Sequence, residues 1–587
     1  MMSTPSTASV GDTRPAANER TLPRNSPATA PKQLPKRAAS AAVSAIYNAA
    51  TEGYVALGYD GALNVIWSTQ RRCVVYLESQ AVNGVVLETH AGKSWLMRNY
   101  FKTNDNGKGE LNVAGARSDL IAACQAAGRY NAAQVMGAGV WAVEIDGARR
   151  LVCNSGQHLF SLDGKPVPRV SQYGVFAEGR DLGMRPGLEP ASDDEVAELS
   201  AALGTWHWAN PGDAALALGW VAAAPFAGAL WRRPILAIQG AGGSGKSTLD
   251  ERFMWLLGQG RVSFTGSAST ASGVTQRLQH DAVPVILDEF GDGYGKDKRD
   301  TIRIDALTLM LRSAYGDASD GVAKGTSDGR GVTYSSRFSG LISGIMMPQQ
   351  EPQDRMRTVL CRLATLPKPA PRFPSILVNE ARLTALGARI RMRMLKSWPL
   401  VEESIDNIKL ALIDDCIDPR IADTLSPLLA GWYVLTQRRA VSPATAPKLI
   451  KGMHLGPHID RIENASAERD CADHLIGYRQ QGSPYAIGEL IRLVSEGKAE
   501  YERTLETLGI KLHSGYVQVC ASKHLRDLRD VFAGSAFADG GWSVILERVP
   551  GAKITNPRFA SKTTRAIAIP LAWFFDEPEA PVQERLF

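Results

Sequence analysis

The spacing of apolar and polar residues changes character several times along this 587-residue chain, and each change predicts a different element. Residues 1–40 hold six prolines, many Ser, Thr and Ala, and almost no large apolar side chains. Such a segment cannot offset its ordering entropy, so a disordered basic tail is expected there. From 41 to 195 the pattern is mixed. Ala41–Ala49 and Arg117–Ala127 have helical spacing, the latter with Leu120, Ile121 and Cys124 apolar. Cys73–Leu77 and Gly84–Glu88 read as short strands. Val140–Ile145, Arg150–Cys153 and His158–Leu162, with Asp146-Gly147 and Asp163-Gly164 as turns, predict a β-meander. Nothing in this stretch has catalytic spacing, and it is read as an α+β accessory domain.

Residues 196–370 alternate short apolar runs with helical periodicity, the signature of a parallel sheet. Residues 371–500 are mostly helical by period. Over 501–575 a helix (Glu502–Leu508) precedes a strand (Tyr516–Val519) and a helix from a Ser522 cap to Phe532. Strands follow at Trp542–Leu546 and Ala566–Ile569, an order that suits a winged-helix-like domain. Residues 576–587 form an acidic, Pro-rich flexible tail. One run stands apart: Ala214–Trp231 is 18 apolar residues long, close to a membrane span. Its Ala and Gly content, Pro225, and the Arg232-Arg233 pair that follows predict a buried helix over the sheet instead.

Composition narrows the partners. The net charge is +6; the first 40 residues supply +4 and the rest only +2, so a nucleic-acid site has to be a local patch. The seven cysteines are scattered without a C-x-x-C pair, which argues against a disulfide framework or a zinc ribbon and for a reducing cytoplasm. Cys471 and His474 lack a second pair of ligands. The N-terminus has no apolar segment of the signal-peptide kind.

The chemistry centres on Gly240-Ala241-Gly242-Gly243-Ser244-Gly245-Lys246-Ser247-Thr248, which fits G-x-x-x-x-G-K-[ST]. It lies between the strand-like Ile235–Ile238 and the helix-like Leu249–Leu257. Gly240, Gly242, Gly243 and Gly245 let the backbone wrap a triphosphate, with Ser244 and Thr248 completing the loop. Lys246 reaches the β- and γ-phosphates, Ser247 ligates Mg²⁺, and the helix N-terminus favours the anion. Downstream, Val283–Asp288 is an apolar strand ending in Asp288-Glu289. Asp288 is placed to hold Mg²⁺ through water and Glu289 to orient and deprotonate the attacking water. The plain alternative is a buried strand that happens to end in acidic turn residues.

Between the motifs, Phe264–Thr270 predicts a strand and then a cap, Ser269 or Thr270, for a helix to Gln279. That insertion implies an extra strand between the motif strands, as in AAA+ and RecA-like ATPases. The fold class expected is therefore α/β, a P-loop NTPase with an AAA+-type parallel sheet. No N-K-x-D motif is present, so ATP is preferred to GTP. Val322–Thr326 and Val332–Ser336 around Asp328-Gly329 predict a hairpin with Lys324 and Arg330 near its tip, placed to hold single-strand phosphates or simply exposed. Ser343, on Ser339–Gly344, is the polar sensor candidate, a place where Asn is commoner. Arg355 and Arg357, with Arg337 third, are candidates for an arginine that completes a neighbouring subunit's site, or for plain salt bridges.

With these residues in view, the stretch from about 140 to 370 resembles the ATPase region of phage and mobile-element primase–helicase proteins, AAA+-type enzymes related to superfamily 3 helicases. The resemblance is carried by Gly219–Thr248, Gly266–Glu289, Val322–Ser343 and Asp354–Leu360. Met136–Gly164 is also similar, and Gly541–Lys553 more loosely so. It implies a homo-oligomeric ring, a hexamer, that uses ATP and Mg²⁺ to move along or open single-stranded or forked DNA in a bacterial host cell. Relatives often carry a zinc-binding primase portion in front. Residues 1–195 show neither a zinc motif nor a primase-type acidic cluster, so an ATPase region without primer synthesis is expected. The alternative is an ATP-gated DNA-binding initiator or regulator that unwinds nothing.

Two lesser features remain. Arg382, Arg389, Arg393 and Lys396 fall near one face of a helix and are read as a solvated face rather than a DNA path. The tail Gln583-Glu584-Arg585-Leu586-Phe587 resembles the peptides by which bacterial replication proteins bind the sliding clamp, through Gln583, Leu586 and Phe587. Glu584 departs from the usual Leu.

Overall fold

The structure, a computed structural model, describes residues 52–575 apart from 104–107, 146–147, 172–173, 267, 292–293, 295–296, 317–321, 326–330, 335–336, 346, 349–350, 368–372, 464–466, 523–525, 534–536, 538–539 and 560–561. The basic tail, the Ala41–Ala49 helix, Arg330 and the clamp-like Gln583, Leu586 and Phe587 therefore lie outside the described residues.

The N-terminal part begins with an antiparallel sheet of β1 (Tyr54–Asp60), β2 (Leu63–Ser68) and β3 (Cys73–Glu78). The stretch expected to follow as a strand at Gly84–Glu88 is instead a helix, α1 (Gly84–Ala91). The Asn83 side chain accepts the Val86 N–H and caps it, while Leu87 and Ala91, four apart, are buried and Val85 faces solvent. A cap and an i, i+4 core contact outweigh the β preference of two valines. Helix α2 (Val113–Ala127) covers the sheet through Ala116, Leu120 and Cys124. The meander forms as expected from β4 (Gly139–Ile145), β5 (Ala148–Ser155) and β6 (His158–Ser161).

After α3 (Asp193–Leu203) comes the long apolar run. It folds as the buried helix α4 (Asp213–Ala223), ended by a short turn at Ala224–Phe226 that contains Pro225. Among the described residues no helix is long and apolar enough to cross a membrane. Each of Leu216, Leu218 and Val221 contributes about 2 kcal/mol by leaving water.

The sheet beneath it contains β7 (Ile235–Gly240), β8 (Val262–Thr265), β9 (Val285–Asp288), β12 (Gly340–Gly344) and β13 (Thr358–Leu363). They run in the order β8-β9-β12-β7-β13 and every neighbouring pair is parallel. Leu236, Ala237 and Ile238 are buried in succession, as a strand covered on both faces requires. Helices α5 (Lys246–Leu257), α6 (Ala271–Leu278, capped by Thr270) and α7 (Lys298–Tyr315) connect these strands. The hairpin arms β10 (Val322–Gly325) and β11 (Gly331–Tyr334) pair antiparallel, Lys324 opposite Val332.

The helical region is α8 (Glu380–Lys396), α9 (Trp398–Asp414), α10 (Pro419–Gln437) and shorter helices beyond. It packs tightly onto the sheet's helices because of glycine: a Cβ on Gly387 of α8 would stand 1.8 Å from the Leu256 carbonyl of α5. The basic face of α8 is solvated only in part. Arg382 pairs with Glu198 at 2.8 Å, Arg389 with Glu195 and Arg393 with Asp193 at 2.6 Å, all on α3. Arg382 and Lys396 are exposed, while Arg389 is half-buried and Arg393 is buried, against the expectation. Asp193 and Glu195 in the first turn of α3, with Glu198 just beyond, supply the counter-charges that a single-helix reading could not see.

A second core runs from Cys471 to Phe574. It joins α11 (Ala467–Gly477), α12 (Ile487–Ser495) and α13 (Glu502–Thr507) to a sheet of β14 (Ile510–His513), β15 (Tyr516–Cys520), β16 (Lys553–Thr555) and β19 (Ala566–Pro570). The sheet order is β14-β15-β19-β16. Between its strands lie α14 (Arg526–Val531), α15 (Gly541–Leu546) and the ribbon β17 (Arg558–Phe559) with β18 (Lys562–Thr563). The expected strand at Trp542–Leu546 is thus a helix. Trp542 and Leu546 are fully buried while Val544 is 57 % exposed, which is helical spacing and not the alternation of a strand.

Candidate nucleotide site

The phosphate-loop sequence occupies the turn from β7 into α5. Gly240 closes the strand, and a Cβ there would stand 2.4 Å from Ser244 Oγ. Gly243 and Gly245 have φ of +81° and +80°, backbone that favours glycine. The first intrahelical bond of α5 runs from Leu249 N–H to the Gly245 carbonyl, and no side chain caps the helix. The N–H groups of Lys246, Ser247 and Thr248 are therefore left to point along the helix axis toward the loop. A Cβ on Gly242 would meet nothing, so that side of the loop is open. An open turn rimmed by uncapped amides and a lysine fits a polyphosphate.

Two contacts hold the loop from outside. Trp206 donates its indole N–H to the Gly245 carbonyl at 3.1 Å and stacks near Phe373, ring centres 4.7 Å apart. Leu366 N–H, just beyond β13, bonds the Gly243 carbonyl at 3.2 Å. Beside Trp206 lies a cavity of about 450 Å³ lined by Gly204, His207, Trp208, Asn210 and Ala364.

Strand β12 stands between β7 and β9, which brings Ser343 level with Ile238 on one side and near Asp288 on the other. Asp288 Oδ1 accepts three bonds: from Ser343 Oγ at 2.8 Å, Lys246 Nζ at 3.2 Å and the Glu289 N–H at 2.7 Å. Burial alone would raise its pKa, but the Ser343 hydroxyl, the Glu289 amide and Lys246 together hold the carboxyl below its ordinary range. Glu289 is exposed and has φ +54°, a left-handed conformation that costs a non-glycine residue about 1 kcal/mol or more. The buried Phe290 fixes it there by bonding its N–H to the Ser343 carbonyl at 2.7 Å. The strained residue is the one expected to meet water.

Behind these groups lies Asp250, one helical turn after Lys246 and 1 % exposed. Neither carboxyl oxygen has a hydrogen-bond partner of good geometry. Burial drives its pKa up to about 7; the Asp288 charge adds to this, while Ser343 and Lys246 pull the other way. The sequence reading passed over this residue. Its signal was an acid among the inward Leu249, Phe253 and Leu256 of α5.

The arginines are elsewhere. Arg355 and Arg357 precede β13 and Arg337 precedes β12, so all three lie at the end of the sheet away from Lys246, roughly 17 Å along the strands. Arg355 pairs with Asp470 of α11 at 2.8 Å, and both side chains are largely buried. Arg357 lies over the Tyr315 ring, 5.5 Å from its centre. Neither reaches the phosphate loop of its own chain.

No protein-family model and no curated protein sequence matches this chain. Among solved structures it is similar to one described as SCCmec type IV Cch, an active helicase, at 12 % identity and a TM-score of 0.44, covering 89 % of this chain and 94 % of that one. It is also similar to the apo C-terminal region of NrS-1, at 12 % identity and a TM-score of 0.35, covering 87 % and 95 %. Likeness at this level carries nothing about activity. The site's own geometry has to do so.

Trp206, Phe290 and Asp250 are the neighbours that motif reading did not find. Each comes from outside the motif strings or from the inward face of a helix. Among the described residues no group of three or more His, Cys, Asp or Glu forms a metal cluster, and His474, paired in sequence with Cys471, bonds the Val531 carbonyl instead.

Proposed function

We propose that this chain hydrolyses ATP with Mg²⁺ and uses the energy on DNA, as a helicase or translocase working as a ring in phage or mobile-element replication. The observation that carries the reading is the meeting of Lys246, Asp288 and Ser343 under an uncapped helix N-terminus, with Glu289 held out beside them. Lys246 and the first-turn amides would bind the β- and γ-phosphates. Ser247 and Asp288 would hold Mg²⁺, whose charge neutralises the phosphate oxygens when it is bound. Glu289 would accept a proton from the attacking water, and Ser343 would keep the Asp288 carboxylate ionised and oriented. The aromatic-lined cavity beside Trp206 has the size of a small-molecule site and suits the base.

An arginine from a neighbouring subunit would complete the site, Arg355 or Arg357 being the candidates at the far sheet end. The Lys324 hairpin would contact the strand being moved. The test is ATP turnover with and without single-stranded DNA, alongside particle size and strand displacement on a fork. Stimulated turnover with unwinding supports this reading. Duplex binding without unwinding would favour the ATP-gated initiator.

A further inference from the structure

One segment of the C-terminal unit carries positive charge unmixed with acids. Between Arg548 and Arg565 the sequence carries Arg548, Lys553, Arg558, Lys562 and Arg565 and no acidic residue, in a chain that otherwise nearly balances 66 Lys/Arg against 60 Asp/Glu. All five are exposed. The edge strand β16 pairs antiparallel with β19, and β17 pairs with β18 between them, so the segment is a two-stranded ribbon leaving the sheet edge. Phe559, 8 % exposed, roots it in the core.

The charges are only partly answered within the fold. Arg565 pairs with Glu547 at 3.1 Å, and the Lys553 ammonium lies 4.9 Å from the Tyr516 ring centre. Among the described residues no carboxylate pairs with Arg548, Arg558 or Lys562. The unit's exposed acids lie on other elements, among them Asp473 of α11, Glu489 of α12, Glu502 of α13 and Asp530 of α14. Exposed like charges on one ribbon repel each other unless something anionic covers them.

The shape selects among anions. A two-stranded ribbon fits the major groove of a duplex, where basic side chains reach backbone phosphates on either side. Single-strand sites instead need aromatic platforms for stacking bases. The ribbon offers none: its one aromatic is the buried Phe559, and its exposed apolar side chain is Ile554. We infer that the β16–β19 ribbon is a duplex-DNA binding element, with Arg558 and Lys562 on the phosphates and Arg548, in the turn that leads into it, beside them. It stands apart from the ATP site and does not rest on that reading.

The experiment is fluorescence anisotropy of the full chain on a labelled duplex and on the matching single strand, across a salt series. R558E/K562E is expected to weaken duplex binding about 10-fold or more and to lower the slope of log affinity against log salt by about two. The neutral R558Q/K562Q should show a smaller loss in the same direction, and R558K/K562R should bind as the unaltered protein does. Basal ATP turnover of all three should be unchanged, and Lys246→Ala should bind duplex normally. Unaltered affinity and slope in R558Q/K562Q would overturn the inference, as would a loss confined to the single strand.

Discussion

Ser343 donates its hydroxyl to Asp288 Oδ1 across 2.8 Å, joining the middle strand of the sheet to the acidic end of its neighbour. The same oxygen takes the Lys246 ammonium. Ser343→Ala removes one donor from a charged acceptor, an interaction worth about 1.5–3 kcal/mol. Turnover should fall about 10- to 100-fold with ATP affinity changed far less, and Ser343→Asn should recover part of the rate. An alanine variant with unaltered kcat would show that the bond has no part in the chemistry.

Much of this arrangement was legible in the sequence. The phosphate loop and the strand ending in Asp288-Glu289 could be read because their backbone needs glycines and apolar runs at fixed spacing. An extra strand between the two motif strands was expected from the segment between them, but that segment's strand β8 lies at the sheet edge and the strand between β7 and β9 is β12. What could not be read depends on partners far away in sequence. Gly84–Ala91 and Gly541–Leu546 are too short for periodicity to separate helix from strand, and burial decided both. The arginines of α8 pointed nowhere until α3 was laid beside them.

Asp250 makes stability depend on pH. Its folded pKa, about 7, lies above the unfolded value of 3.8, so the folded protein binds the extra proton between those values. The contribution is fully present below about pH 4 and is lost as pH rises through 7. Asp250→Asn should therefore raise Tm at pH 8 and lose that advantage progressively toward pH 4. An equal gain at both ends would refute the buried-carboxyl account.

The Trp206 bond to the phosphate loop gives a separable effect. Trp206→Phe keeps an aromatic ring beside Phe373 but loses the indole N–H, a net loss of about 1 kcal/mol. We expect fluorescent ATP analogues to bind roughly 5-fold more weakly, with kcat at saturation nearly intact. A loss in kcat alone would be the wrong outcome.

Arg355 and Asp470 tie the parallel sheet to the C-terminal unit. Both side chains are largely buried, so each single alanine leaves a desolvated charge behind. A double-mutant cycle on thermal or urea unfolding should give a coupling of about 1–3 kcal/mol. Additive effects would show that the pair does not hold the two units together.

The central claim is hydrolysis at the Lys246–Asp288–Glu289 site. It is tested most directly by nucleotide binding and phosphate release measured together, with Mg²⁺, for the full chain, Lys246→Ala and Glu289→Gln. We expect the unaltered chain to bind and hydrolyse ATP, Lys246→Ala to lose both, and Glu289→Gln to bind normally while releasing phosphate at least about 100-fold more slowly. Phosphate release by Glu289→Gln at the unaltered rate would contradict the account.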